Sequence, residues 1–262
     1  MAIYIGCEMV NFRVDGKMVR NVELIIFDKD GTLFQLYPFW SELAAKRAQI
    51  LRSMVNPDDH NIEDELVRSM GVDKANKRMF SDGPIGIYPR KHIVKTVQSV
   101  LHKHAYEIDE RSIEAAFIEA DEYLNDPATL KRTMIPVKGA FDFLDCLKGK
   151  CVCAILSSDK TARLEQVASI FGIRHHFALL VGGDQTLISK PDPWGAKKIM
   201  EDLGISPERT VFIGDSITDI ECACNAGCAH KIAIISDITD TVGVAARSGL
   251  LVHDFTGFET LP

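Results

Sequence analysis

Leu24-Ile25-Ile26-Phe27-Asp28-Lys29-Asp30-Gly31-Thr32-Leu33 is the stretch on which the reading of this chain turns. A short apolar run closed by a polar cluster containing Gly reads as a buried strand opening into a loop. The carboxylates of Asp28 and Asp30 then stand at the strand's C-terminal end, where open α/β sheets bind ligands. Two crowded carboxylates repel each other. A cation relieves that repulsion, and oxygen ligands with water suit Mg²⁺. One carboxylate can attack an electrophile while its neighbour shuttles a proton. A plain Asp/Gly turn would show the same residues, so the decision rests on what lies downstream.

Three further signals follow in order. Cys151-Val152-Cys153-Ala154-Ile155-Leu156 is a strand-like run ending in Ser157-Ser158. Ser189-Lys190-Pro191-Asp192-Pro193 makes a stiff loop carrying one cation. Thr210-Val211-Phe212-Ile213 is another buried strand, ending in Gly214-Asp215-Ser216-Ile217-Thr218-Asp219. Alone, each is weak, and a Ser pair is more often a helix N-cap. Four in sequence, three of them closing apolar strands, are strong.

Together these segments resemble motifs I to IV of the haloacid dehalogenase superfamily, over about residues 22–35 and 137–255. The resemblance implies an α/β fold, a doubly wound, mostly parallel Rossmann-like sheet. It implies phosphoryl transfer through an aspartyl-phosphate, with Asp28 as nucleophile and Asp30 as general acid and then base. Ser157 would bind the phosphoryl oxygen, with Ser158 as alternative or as helper through its backbone N–H. Lys190 would neutralise the nucleophile and the phosphoryl group, and Thr32 would help position the nucleophile loop. The Asp28 carboxylate, the Asp30 backbone carbonyl and the Asp215 carboxylate would hold Mg²⁺. Asp219 would orient Lys190 or a metal-bound water. Asp30 argues against the dehalogenases that name the superfamily, which lack this carboxylate and need no Mg²⁺. A phosphonatase would carry a small residue there. The implied activity is hydrolysis of a small phosphate monoester, phosphoglycolate phosphatase-like. A phosphomutase of the β-phosphoglucomutase type keeps Asp30 and is the alternative. A catalytically idle binding module is the third reading, against which every motif Asp and the Lys are present.

From Phe34 to about Ile135 the pattern is helical. Ile93, Val94, Val97, Val100 and Leu101 form one apolar stripe, and Asp109 has the place of an N-cap. A hundred residues are too many for a βα loop, so this is an inserted helical domain. The expected division is a catalytic core of 1–35 and 136–262 and a helical cap of 36–135. In the resembled family an insert here is a type 1 cap, which closes over the site and selects substrates. Arg90 begins a helix after the loop from Ser81 to Pro89 and is a candidate for bidentate contact with a substrate anion. A solvated helix end is the commoner reading.

The 262 residues carry a formal net charge of −7, which gives no basic footprint for nucleic acid. No apolar stretch approaches the ~20 residues of a membrane span. The first residues lack a basic region followed by an apolar one, so no signal peptide is expected. Seven cysteines at no familiar zinc spacing fit reduced core thiols and a cytoplasmic setting. The expected partner is a small phosphorylated metabolite, with monomer and homodimer both open. Residues 3–5, 8–13 and 18–26 read as strands, and Asp15-Gly16 as a hairpin turn. These residues predict a β-hairpin extension on the sheet's edge. Later elements are expected at 137–149 (helix), 161–171 (helix, stopped by Gly172), 232–235 (strand), 242–247 (helix) and 250–253 (last strand). Ser206-Pro207 reads as a helix start, and His175-His176 as a turn entering a strand.

Overall fold

The structure is a computed structural model that describes residues 9–86 and 88–261. In chain order the elements are β1 (Val10–Val14), β2 (Lys17–Val22), β3 (Leu24–Phe27), α1 (Leu36–Val55), α2 (His60–Ser69), β4 (Val72–Asp73), β5 (Arg78–Met79), α3 (Arg90–Lys103), α4 (Glu110–Leu124), α5 (Pro127–Thr133), α6 (Ala140–Leu147), β6 (Val152–Leu156), α7 (Thr161–Ile170), β7 (Phe177–Val181), α8 (Trp194–Leu203), β8 (Thr210–Gly214), α9 (Ile217–Ala226), β9 (His230–Ile234), α10 (Thr241–Ala245), β10 (Leu250–Val252) and β11 (Phe258–Thr260). They fall into two compact units, Met1–Gln35 with Pro136–Pro262, and Leu36–Ile135.

The first unit is built on a six-stranded sheet in the order β10-β9-β8-β3-β6-β7, parallel throughout. Parallel strands covered on both faces read as continuous apolar runs rather than alternations. β3, β6 and β8 accordingly bury every residue. Leu24 and Ile26 pack with Ile199 and Met200 of α8 and Cys222 and Ala223 of α9. Phe27 faces the other way, meeting Phe143 of α6 with ring centroids 6.5 Å apart and Phe177 at 6.2 Å. From β3 the chain passes to β6 and β7, then crosses back to β8 on the opposite side of β3. The order therefore reverses between β3 and β8, and the crevice outside their carboxyl ends is where such sheets bind ligands.

Asp15 and Gly16 both have positive φ, 47° and 79°, as a type I′ hairpin turn requires. The β1–β2 hairpin does not extend the edge of the parallel sheet, in contrast to the expectation from sequence. β1 pairs antiparallel with β11 instead, giving a separate sheet in the order β11-β1-β2. The reason is aromatic packing: Phe12 stacks on Phe258 at 6.1 Å and meets Phe143 edge-on at 5.5 Å. The expected strand at 3–5 lies outside the described residues. Phe12 is fully buried, so Phe12→Ala is expected to cost about 4 kcal/mol in denaturant unfolding. A cost below about 1 kcal/mol would show that this sheet adds little to the core.

Ser206 does not cap an α-helix. Pro207–Arg209 is a single 3-10 turn leading into β8, and the Ser206 side chain makes no cap hydrogen bond to it. The helix expected at 137–149 is shorter, beginning after Gly139, whose φ of 75° sets the entry. Cys151, Cys153, Cys222 and Cys228 are buried, while Cys146 and Cys224 are exposed. Among the described residues no helix is long and apolar enough to cross a membrane.

The second unit is helical. Asp59, Asp109 and Asp126 cap α2, α4 and α5 by accepting hydrogen bonds from Ile62, Ser112 and Thr129 backbone N–H groups. α5 and the short β4–β5 pair add to the helices expected from periodicity. Two guanidinium groups converge on one carboxylate: Arg47 reaches Asp121 Oδ1 at 3.1 Å and Arg90 reaches Asp121 Oδ2 at 2.7 Å. Both lie over the Phe117 ring.

Candidate active site

Asp28 is the first residue beyond β3, and its N–H donates to the Ile213 carbonyl of β8 at 2.8 Å. That bond ties Asp28 to the neighbouring strand end. Asp215 is the first residue beyond β8. Gly31, with φ of 82°, passes so close that a Cβ there would overlap the Asp215 carboxylate, so only glycine fits. Gly214 is held by the same kind of approach, since a Cβ would strike the Asp219 side chain. Asp219 sits in the first turn of α9, where it and Ser216 form a capping box.

Lys190 joins these carboxylates. Its Nζ donates to Asp28 Oδ1 at 2.7 Å and to Asp219 Oδ1 at 2.5 Å. Oxygens of Asp28, Asp215 and Asp219 lie within 4.8 Å of one another, and all three residues are buried. Burial pushes the Asp28 carboxyl up to about 7; Lys190 pulls it down, while Asp219 and Asp30 push it further up. Burial, with Asp219 and Asp28 adding, holds the Asp215 carboxyl well above the usual carboxylate range. For Lys190 burial acts downward, but Asp219 and Asp28 outweigh it and hold the ammonium charged. Three buried carboxylates thus face one ammonium. The cluster can hold a divalent cation, and its all-oxygen donor set fits a hard one.

Asp215 is itself fixed from the next strand. Ser236, just past β9, donates its hydroxyl to Asp215 Oδ2 at 2.5 Å, and Thr239 Oγ1 donates to the Asp215 carbonyl at 2.7 Å.

Asp30 is on the same loop, its Oδ1 accepting from Lys29 Nζ at 2.8 Å. Lys29 is 1% exposed and also contacts Asp159 Oδ2 at 3.1 Å. Burial opposes its charge, but Asp30 and Asp159 outweigh that effect and raise its pKa. Thr32 Oγ1 is buried with no hydrogen-bond partner among the described residues. Ser157 is the first residue beyond β6 and is buried, its Oγ accepting from the Asp159 N–H at 3.2 Å. Ser158 is exposed.

The structure therefore brings Asp28, Lys190, Asp215 and Asp219 into direct contact or near it, with Asp30 on the adjoining loop. Arg90 lies in the second unit, at the start of α3. There its guanidinium pairs with Glu114 at 3.0 Å and with Asp121. Lys29, Asp159, Ser236 and Thr239 were not anticipated. Lys29 lies between Asp28 and Asp30 in the chain, and Ser236 follows a strand, but neither signal names a distant partner. His175 and His176 form the 3-10 turn before β7, and His176 Nε2 lies 3.2 Å from Asp145 Oδ1.

A model of the haloacid dehalogenase-like hydrolases matches residues 22–227. The chain is similar to the phosphoglycolate phosphatase of Chromobacterium violaceum, 30% identical over 223 residues that cover 80% of this chain and 84% of that one. Among solved structures it resembles a predicted phosphoglycolate phosphatase from Haemophilus somnus, with a TM-score of 0.68, 20% identity and coverage of 90% and 96% of the two chains. It also resembles a β-phosphoglucomutase-like protein from Thermotoga maritima, with a TM-score of 0.65, 21% identity and coverage of 88% and 94%. The two structural likenesses speak for the fold. The family match spans the segments that carry Asp28, Ser157, Lys190 and Asp215, and with the relative from Chromobacterium it shows that the chain belongs to the haloacid dehalogenase-like hydrolases.

Proposed function

We propose that this protein is a Mg²⁺-dependent phosphatase that hydrolyses a small phosphate monoester through a phosphorylated Asp28. Phosphoglycolate, the substrate in the name of the Chromobacterium relative, is the first ester to consider. One observation carries the reading: Asp28 is held by Lys190 inside a buried carboxylate cluster at the carboxyl ends of β3 and β8. A nucleophile, a fixed cation and a second acid on the same loop are the parts that this chemistry needs.

In the first half-reaction an Asp28 oxygen bonds phosphorus as the ester P–O bond breaks, and Asp30 gives its proton to the leaving oxygen. In the second, water attacks phosphorus, its proton passes to the Asp30 carboxylate, and the P–O bond to Asp28 breaks. The sum is ester plus water to alcohol plus phosphate. Lys190 offsets charge on the nucleophile and the transferring group, and Ser157 hydrogen-bonds a phosphoryl oxygen. The carboxylates of Asp28 and Asp215 and the Asp30 backbone carbonyl would hold Mg²⁺, which would add positive charge beside the phosphoryl oxygens. We assign residues 36–135 the role of a cap that selects the substrate.

The test is Mg²⁺-dependent phosphate release across phosphoglycolate, hexose phosphates and nucleoside monophosphates. Release that ranks phosphoglycolate first supports the full reading. Interconversion of hexose phosphate isomers without phosphate release would replace it with the mutase. No reaction with any ester would defeat it.

A further inference from the structure

Lys29 stands between the two aspartates of the nucleophile loop, yet it takes no part in the mechanism above. Its side chain is buried, and its Nζ bridges two carboxylates, Asp30 Oδ1 at 2.8 Å and Asp159 Oδ2 at 3.1 Å. Burying an ammonium and its partners is costly, and well-packed apolar residues often serve stability as well or better. Packing alone does not explain a lysine here.

The bridge also links two loops. Asp159 donates its N–H to Ser157 Oγ at 3.2 Å, and its carbonyl accepts from the Gly183 N–H at 2.8 Å. Its carboxylate accepts from the Lys160 N–H at 2.8 Å, and Arg163 stands 3.8 Å away. Asp159 is therefore held from several sides, and Lys29 passes that rigidity to Asp30. Asp30 side-chain exposure is 17%, so without Lys29 its carboxylate would have room to turn toward solvent. With Oδ1 held by Lys29, Oδ2 is the oxygen left to work.

We infer that Lys29 is a positioning residue for the second half-reaction, holding Asp30 so that its other oxygen takes the proton of the attacking water. The step is the one written above: the water oxygen bonds phosphorus, its proton goes to Asp30, and the Asp28–phosphorus bond breaks, returning the electron pair to Asp28. The inference rests on the phosphatase reading.

An aryl phosphate separates the two halves. A phenolate leaves without needing a proton, so formation of the phosphorylated enzyme is nearly independent of Asp30, whereas its hydrolysis is not. In rapid-mixing experiments with p-nitrophenyl phosphate, Lys29→Met is expected to show a burst of one nitrophenolate per active site. Turnover after the burst should be slower than wild type by on the order of 10²-fold, the cost of a misplaced proton acceptor. Phosphorylated enzyme should persist after quenching. Lys29→Met also leaves Asp159 without this partner and can weaken the fold. The double variant Lys29→Met/Asp159→Asn removes the stranded charge, so it should regain thermal stability and keep the burst. Wild-type turnover with no burst in either variant, or burst and turnover lost in parallel, would overturn the role given to Lys29 and leave the phosphatase standing. A wild-type enzyme inert toward every ester would overturn both.

Discussion

Asp28→Asn is expected to lower phosphate release by roughly 10⁴-fold or more, since deleting a covalent nucleophile can cost as much as ~10⁶ in turnover. The amide is nearly isosteric and keeps an oxygen to accept the Lys190 hydrogen bond, now 2.7 Å long. The change therefore removes charge and nucleophilicity while leaving the geometry in place. It also takes one negative charge from a cluster in which burial and Asp219 already push Asp28 toward neutrality. The folded protein should be no less stable, and its far-UV dichroism unchanged. This combination distinguishes the nucleophile from a structural carboxylate, whose loss would lower activity and stability together. Activity within about tenfold of wild type would remove Asp28 from the chemistry, because no neighbouring carboxylate could replace a nucleophile so completely.

Asp28, Ser157 and Asp215 are legible as candidates because each signal is local, and Lys190 because it stands beside Pro191 in a stiff loop. An apolar run fixes a buried strand, and the polar residue that ends it stands at the sheet's carboxyl edge. Their convergence depends on strand order, which sequence pattern does not give. The return of the chain from β7 to β8, across β3, puts Asp215 beside Asp28. Lys29 illustrates what local pattern withholds. One of its partners, Asp30, is its neighbour in the chain, but the other, Asp159, belongs to a distant loop. Ser236 was hidden for the same reason: its hydroxyl matters only because β9 lies beside β8. The misplaced hairpin had a different cause. β11 has three residues, too few to show a period, and without it the β1–β2 pair has no visible neighbour except the large sheet. α5 escaped similarly, being seven residues long and opened by Pro127.

Asp215→Asn is expected to cancel the stabilisation that Mg²⁺ gives, and to do so with a pH signature. In the metal-free protein the Asp28 carboxyl sits at about 7 rather than 3.8. The folded state therefore binds more protons than the unfolded one between those values, and stability falls as pH rises through that window. A shift of this size is worth about 4 kcal/mol when fully expressed. After chelation, the cluster's contribution should lower the wild-type melting temperature by several degrees between about pH 5.5 and about pH 8. His176 and His230 act in the opposite sense, because burial holds both rings below their usual range. The variant shares those histidines, so its difference from wild type isolates the carboxylates. The amide introduced by Asp215→Asn would still accept the Ser236 hydrogen bond now made to Oδ2, while one of three crowded charges is gone. Metal-free Asp215→Asn should thus melt higher than wild type near pH 8 and close to it near pH 5.5. Excess Mg²⁺ should raise the wild-type melting temperature by several degrees, as a ligand at about 100 times its Kd adds ~2.7 kcal/mol, and leave the variant unmoved. An equal Mg²⁺ shift in both proteins would take Asp215 out of the ion's ligands. The expected Mg²⁺ response with no pH signature would mean that the carboxylate cluster is not the source of the strain that a cation relieves.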